Sequence, residues 1–128
     1  MLELGFDVWS GGRLDETAFA DATDAMLAII RDGHPRTPII VVSPILSPER
    51  ETVAENGGLT FERMRVLLAE AAETRRAMGD AAIAYVSGLD LLGPGDALHL
   101  PDGLLPDGVG HALIGKRFHA RLGSGRRK

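Results

Sequence analysis

Residues 38 to 44, Pro-Ile-Ile-Val-Val-Ser-Pro, constrain this chain more than any other stretch. A continuous run of β-branched residues, bounded by proline at both ends, leaves no polar face to turn toward water. Such a run reads as a strand buried on both sides, central in a parallel sheet. Parallel neighbours need crossover connections, and helical patterns stand on both sides of the run.

Upstream, residues 2 to 9 (Leu-Glu-Leu-Gly-Phe-Asp-Val-Trp) read as a short strand before the turn-rich Ser10-Gly11-Gly12. Asp15 is placed to cap a helix in which Phe19, Ala22, Met26, Ile29 and Ile30 recur at helical spacing, with Gly33 and Pro35 as the stop. Downstream, a loop over 45–58 leads to a second helix capped by Thr60. Leu59 and Met64 are set as a hydrophobic staple, Met64, Leu67, Leu68, Ala71 and Met78 form its stripe, and Gly79 ends it. Ala82 to Val86 is a third strand. A long loop from Ser87 to Pro106 then precedes a last helix capped by Asp107, with Ile114, Phe118 and Leu122 on one face and Gly123 at its end. The order β-α-β-α-β-loop-α predicts an α/β layered domain with right-handed crossovers. Residues 1–123 form that domain and 124–128 a basic flexible tail, whose Arg126, Arg127 and Lys128 carry no assigned function.

With 45% hydrophobic and 25% charged residues, the 128-residue chain has material for one core. A formal net charge of -4 gives no attraction to phosphate backbones or anionic lipid, so no nucleic acid partner is expected. No apolar run approaches the ~20 residues of a membrane helix, and the N-terminal residues lack a signal-peptide pattern. Cysteine is absent, which excludes disulfides and thiolate catalysis. A cytoplasmic protein without membrane contact is expected.

Ligands of open parallel sheets sit at the carboxyl ends of the strands. Three stretches converge there: Gly5-Phe6-Asp7 to Gly12, Ser43 to Ser47, and the loop with Asp102. Together with "IIRDGHPRTPIIVVSPILSPERE" (29–51) and "LPDGLLPDGVGHALIGKRF" (100–118), they resemble the C-terminal part of the SGNH (GDSL-type) ester and acyl hydrolases. The resemblance implies a three-layer α/β/α, flavodoxin-like fold with a five-stranded parallel sheet, of which the N-terminal strands are missing here. It also implies a Gly-Asp-Ser nucleophile block, an oxyanion hole completed by a glycine and the Asn of a Gly-x-Asn block, and an Asp-x-x-His pair as acid and base.

Carried over residue by residue, Asp102 takes the place of the triad acid, Leu105 that of the base histidine, and Asp7 that of the oxyanion Asn. Leucine cannot accept a serine proton. An ionised Asp7 would repel the developing oxyanion, where one lost donor costs ~3 to 4 kcal/mol. The expectation is therefore an SGNH-type serine ester hydrolase domain, truncated and catalytically inactive as it stands, with no cofactor and a small-molecule ester as substrate if active. The alternatives are a binding or assembly module on the residual scaffold around Asp7, Trp9, Ser43 and Asp102, or an esterase completed by a second chain. The strand Leu2 to Val8 would expose its backbone edge, so a homo-oligomer or a partner chain is expected there.

A refilled triad can be written from Ser10 or Ser43, His99 or His111, and Asp102, but neither serine lies in a Gly-x-Ser-x-Gly elbow. A metal set from His99, Asp102, Asp107, His111 and His119 lacks the i, i+4 histidine pair. Gly108-x-Gly110 with Gly115 follows no strand and does not read as a dinucleotide loop.

Overall fold

The computed structural model describes residues 1–125; Arg126, Arg127 and Lys128 lie outside the described residues. The proline-bounded run forms β2 (Ile39–Val42), flanked by β1 (Leu2–Glu3) and β3 (Ile83–Val86) in a parallel sheet of order β1-β2-β3. Leu2 lies opposite Val41, Ile39 opposite Ile83 and Val42 opposite Val86.

Alternation along these strands divides the core in two. Ile39, Val41 and Ile83 face a cluster with Phe19, Leu27, Phe61, Met64 and Leu68, supplied by α1 (Glu16–Gly33) and α2 (Phe61–Ala77). Val42 and Val86 face the other way, against Leu91 of the short α3 (Gly88–Leu91) and the half-buried Ile114 and Phe118 of α4 (Gly108–Gly125). The result is the expected α/β/α layering.

Each expected cap is made. Asp15 Oδ1 accepts the Ala18 N–H at 2.8 Å, Thr60 Oγ1 the Arg63 N–H at 3.1 Å, and Asp107 Oδ1 the Gly110 N–H at 2.7 Å. Leu59 and Met64 are both buried beside the second cap. At the other end of α2, the Gly79 and Asp80 N–H groups bond back to Arg76 and Arg75 carbonyls, closing the helix as its glycine predicts.

Other expectations need correction. The strand over Leu2–Val8 contracts to two residues, because Gly5 adopts φ +104° and Phe6–Val8 turn into a 3₁₀ segment closed by Val8 N–H to Gly5 O. Any partner pairing at that edge would therefore meet a very short strand. The buried ridge of α1 is Phe19, Thr23 and Leu27; of the expected Phe19, Ala22, Met26, Ile29 and Ile30, Ala22 and Ile29 are exposed, while Met26 and Ile30 are half-buried. Thr23 fits the apolar ridge because its hydroxyl donates to the Phe19 carbonyl at 2.8 Å. Met78 is exposed at the C-cap. The loop from Ser87 holds α3, capped by Ser87, and a 3₁₀ segment over Pro94–His99. Gly123 does not end α4, which runs through to Gly125 and so takes in the start of the expected tail.

Polar contacts attach α4 to this segment. Arg117 forks onto Asp96 at 2.6 and 3.1 Å and donates to the Leu91 carbonyl at 3.0 Å, and Arg121 pairs with Asp90 at 3.0 Å.

Candidate functional site

At the carboxyl end of β1, the 3₁₀ turn leaves Asp7 exposed to solvent. Trp9, two residues on, is a packing residue: its indole N–H donates to the Val53 carbonyl at 2.8 Å, and the Arg50 guanidinium stacks over its ring at 4.5 Å. The same guanidinium lies 5.0 Å from the Phe6 ring, so Arg50 pins the whole 6–9 turn onto the loop after β2.

At the carboxyl end of β2, Ser43 is fully buried. Its hydroxyl oxygen accepts the Gly88 N–H at 3.0 Å and lies 2.8 Å from the Tyr85 hydroxyl, which makes it a structural hydroxyl rather than a nucleophile. Gly88 is required at that contact, since a Cβ there would stand 2.1 Å from the Pro44 carbonyl oxygen. Beyond Ser43 lies a network that sequence reasoning missed. Arg65 of α2, only 7% exposed, donates to the Pro44 and Ile45 carbonyls at 2.9 and 3.0 Å and pairs with Glu51. Glu51 in turn accepts the Ser47 N–H at 2.9 Å, and the Ser47 hydroxyl donates to the Gly103 carbonyl at 2.9 Å. The loops carrying Ser47 and Asp102 are thereby locked together. The only available signal was an arginine one residue after Met64 and three before Leu68, near the buried stripe of its helix.

The Asp102 loop is a closed turn. Asp102 Oδ1 accepts the N–H groups of Leu105 at 2.7 Å and Leu104 at 2.9 Å, which hold the carboxyl below its ordinary value. Leu105 is 59% exposed. His99 does not turn toward Asp102: its Nδ1 lies 3.3 Å from Asp107, and the Asp107 N–H donates to the His99 carbonyl at 2.8 Å, so this pair clamps the neck of the loop. Asp107 is likewise held below its ordinary value, first by the Gly110 N–H and then, against burial, by His99. His111 sits exposed in the first turn of α4, and Ser10 and His119 are exposed as well. Among the described residues no group of three or more His, Asp or Glu is arranged to hold a metal ion.

An apolar cleft of about 370 Å³ opens between the sheet and α4; its lining includes Phe6, Val42, Leu91, Leu105, Ile114 and Phe118, with Glu3, His111 and the amino group of Met1 as its ionisable members.

Comparison with solved structures places this arrangement. The chain superposes on the salicylyl-acyltransferase SsfX3 from a tetracycline biosynthetic pathway with a TM-score of 0.81 and 27% identity, over 95% of this chain and 37% of that one. It also superposes on a GDSL-like lipase from Bacteroides ovatus with a TM-score of 0.65 and 19% identity, over 86% of this chain and 32% of that one. The fold is that of the SGNH (GDSL-type) hydrolases, present in part. The chain thus spans about a third of the length of these solved relatives. No family model and no curated protein matches the sequence. Among the described residues, the SGNH-type sheet here has three strands, and no helix is long and apolar enough to cross a membrane.

Proposed function

We propose that this chain is an SGNH-type domain without ester hydrolase chemistry of its own, working as a binding scaffold. The observation that carries this reading is the Asp102 turn. The carboxylate that would orient a base is bonded to the N–H groups of Leu104 and Leu105, and a leucine side chain occupies the position where the resemblance places the imidazole. The exposed carboxylate of Asp7 supports it from the oxyanion side, because an anion there opposes the charge that acyl transfer develops. Ser43 is engaged by Gly88 and Tyr85 and supplies no substitute nucleophile, and His99, although paired with Asp107, has no serine hydroxyl among its hydrogen-bond partners in the described residues.

The test is hydrolysis of p-nitrophenyl acetate by the folded chain, its Asp102→Ala variant and a heat-unfolded control. Equal rates are expected, and Leu105→His alone should leave the rate unchanged. A folded-chain rate well above the unfolded control, and lowered by Asp102→Ala, would overturn the reading.

A further inference from the structure

We propose that Asn56-Gly57 is a site of spontaneous backbone modification, at which deamidation to isoaspartate uncouples the 9–12 segment from the loop after β2. Asn56 is the single asparagine of a chain that contains no glutamine, and a glycine follows it. Both residues are exposed, and both have positive φ, 50° and 74°, in a tight turn closed by the Gly58 N–H donating to the Glu55 carbonyl at 2.9 Å. Among the described residues no other non-glycine residue has positive φ. The Gly57 N–H makes no hydrogen bond among the described residues, and its residue has no side chain to shield the nitrogen.

The chemistry needs only water. The Gly57 nitrogen attacks the Asn56 Cγ, the carbon–nitrogen bond of the side-chain amide breaks, and ammonia departs with the proton of the Gly57 amide, leaving a cyclic imide. Water then opens that ring on either side of the shared nitrogen. Breaking its bond to Cγ gives aspartate. Breaking its bond to the main-chain carbonyl gives isoaspartate, whose main chain runs through Cβ and Cγ and is longer by a carbon. This turn has no slack for that carbon. A Cβ on Gly58 would stand 2.5 Å from the Gly12 Cα, and one on Gly12 would stand 1.9 Å from the Glu55 carbonyl oxygen, so the turn and the 10–12 segment are in backbone contact. The Gly11 N–H donates to the Glu55 carboxylate at 2.7 Å, and the Trp9 indole to the Val53 carbonyl at 2.8 Å. Lengthening the chain between Glu55 and Gly58 breaks the hydrogen bond that closes the turn and pushes Glu55 and Gly12 apart.

The experiment incubates the folded chain at mildly alkaline pH, beside a synthetic peptide of residues 51–63, and follows peptide mass and amide exchange. The mass gain of an amide turned into an acid is expected in the tryptic peptide between Arg50 and Arg63 and nowhere else, since no other side-chain amide exists. That peptide should divide into two products of equal mass, aspartate and isoaspartate, told apart by fragmentation. In the isoaspartate form the Gly11 and Gly58 amides should exchange about fivefold faster, while the Ala18 amide, held by Asp15, stays unchanged. Asn56→Gly suits the positive φ and lacks the reacting amide, so it should keep both its mass and its slow exchange. Asn56→Asp adds the charge without the extra carbon and should also keep slow exchange at Gly58. A folded chain that stays unmodified while the peptide converts would overturn the proposed site. Isoaspartate with unchanged exchange at Gly11 and Gly58, or Asn56→Asp exchanging as fast as isoaspartate, would overturn the uncoupling.

Discussion

The two faces of one small sheet are closed by different physics. Toward α1 and α2, Ile39, Val41 and Ile83 meet Phe19, Leu27, Phe61, Met64 and Leu68, all buried and in mutual contact. Toward α4, Val42 and Val86 meet the buried Leu91 of α3 but only half-buried side chains of α4 itself, Ile114 and Phe118, and the helix is secured by Arg117 and Arg121 to carboxylates of the 88–99 segment. A face closed by apolar packing leaves no room for a guest, whereas a helix braced by ion pairs can stand away from the strands. Stability is therefore concentrated on the side of α1 and α2.

The sharpest way to break this contrast is to truncate one aromatic on each face. Phe61→Ala should cost about 3–5 kcal/mol in urea unfolding, against roughly 1 kcal/mol for Phe118→Ala, whose ring is only half-buried. Equal losses would mean that α4 is as integral to the core as α2. Next in size comes a comparison of arginines. Arg65→Met strands Glu51 and two carbonyls in a buried setting and should cost about 3 kcal/mol, while Arg121→Met, from a largely exposed pair, should cost less than about 1 kcal/mol. A mild Arg65→Met phenotype would remove the Ser47–Glu51–Arg65 network from the account of how the loops are fixed.

Acid offers a third and smaller test, confined to the α4 side. Asp96 is held at about 2, first by the Arg117 fork and then by the Gly93 N–H. Its folded value lies below its ordinary one, so the stability it contributes is present above about pH 4 and is lost as pH falls through about 2. Urea midpoints of the wild type should fall across that window, and Asp96→Asn should flatten that part of the slope; an unchanged slope would show that the brace does not hold α4 in solution. The smallest effect is expected from Asp102→Ala. Global stability should barely move, but the Leu104 and Leu105 amides, losing their acceptor, should exchange with solvent about fivefold faster. Unchanged exchange would mean that the turn closes without its carboxylate.

The local code of this chain was readable without coordinates. Proline-bounded β-branched residues determined the central strand, and Asp15, Thr60 and Asp107 determined where helices begin, because both signals act within a few residues of themselves. Leu105 in the place of a base was equally plain, since identity alone removes a proton acceptor. The sequence misled where one residue outweighs its neighbours: Gly5, in the left-handed region, ends the strand that was expected to run through Val8. Only the tertiary structure decided that α1 buries Thr23 rather than Ala22, that Arg65 reaches from α2 to Glu51, and that a cleft opens beneath α4. Those features join residues 14 or more positions apart, or depend on which side of a helix meets the sheet, and such distances close only when the chain packs.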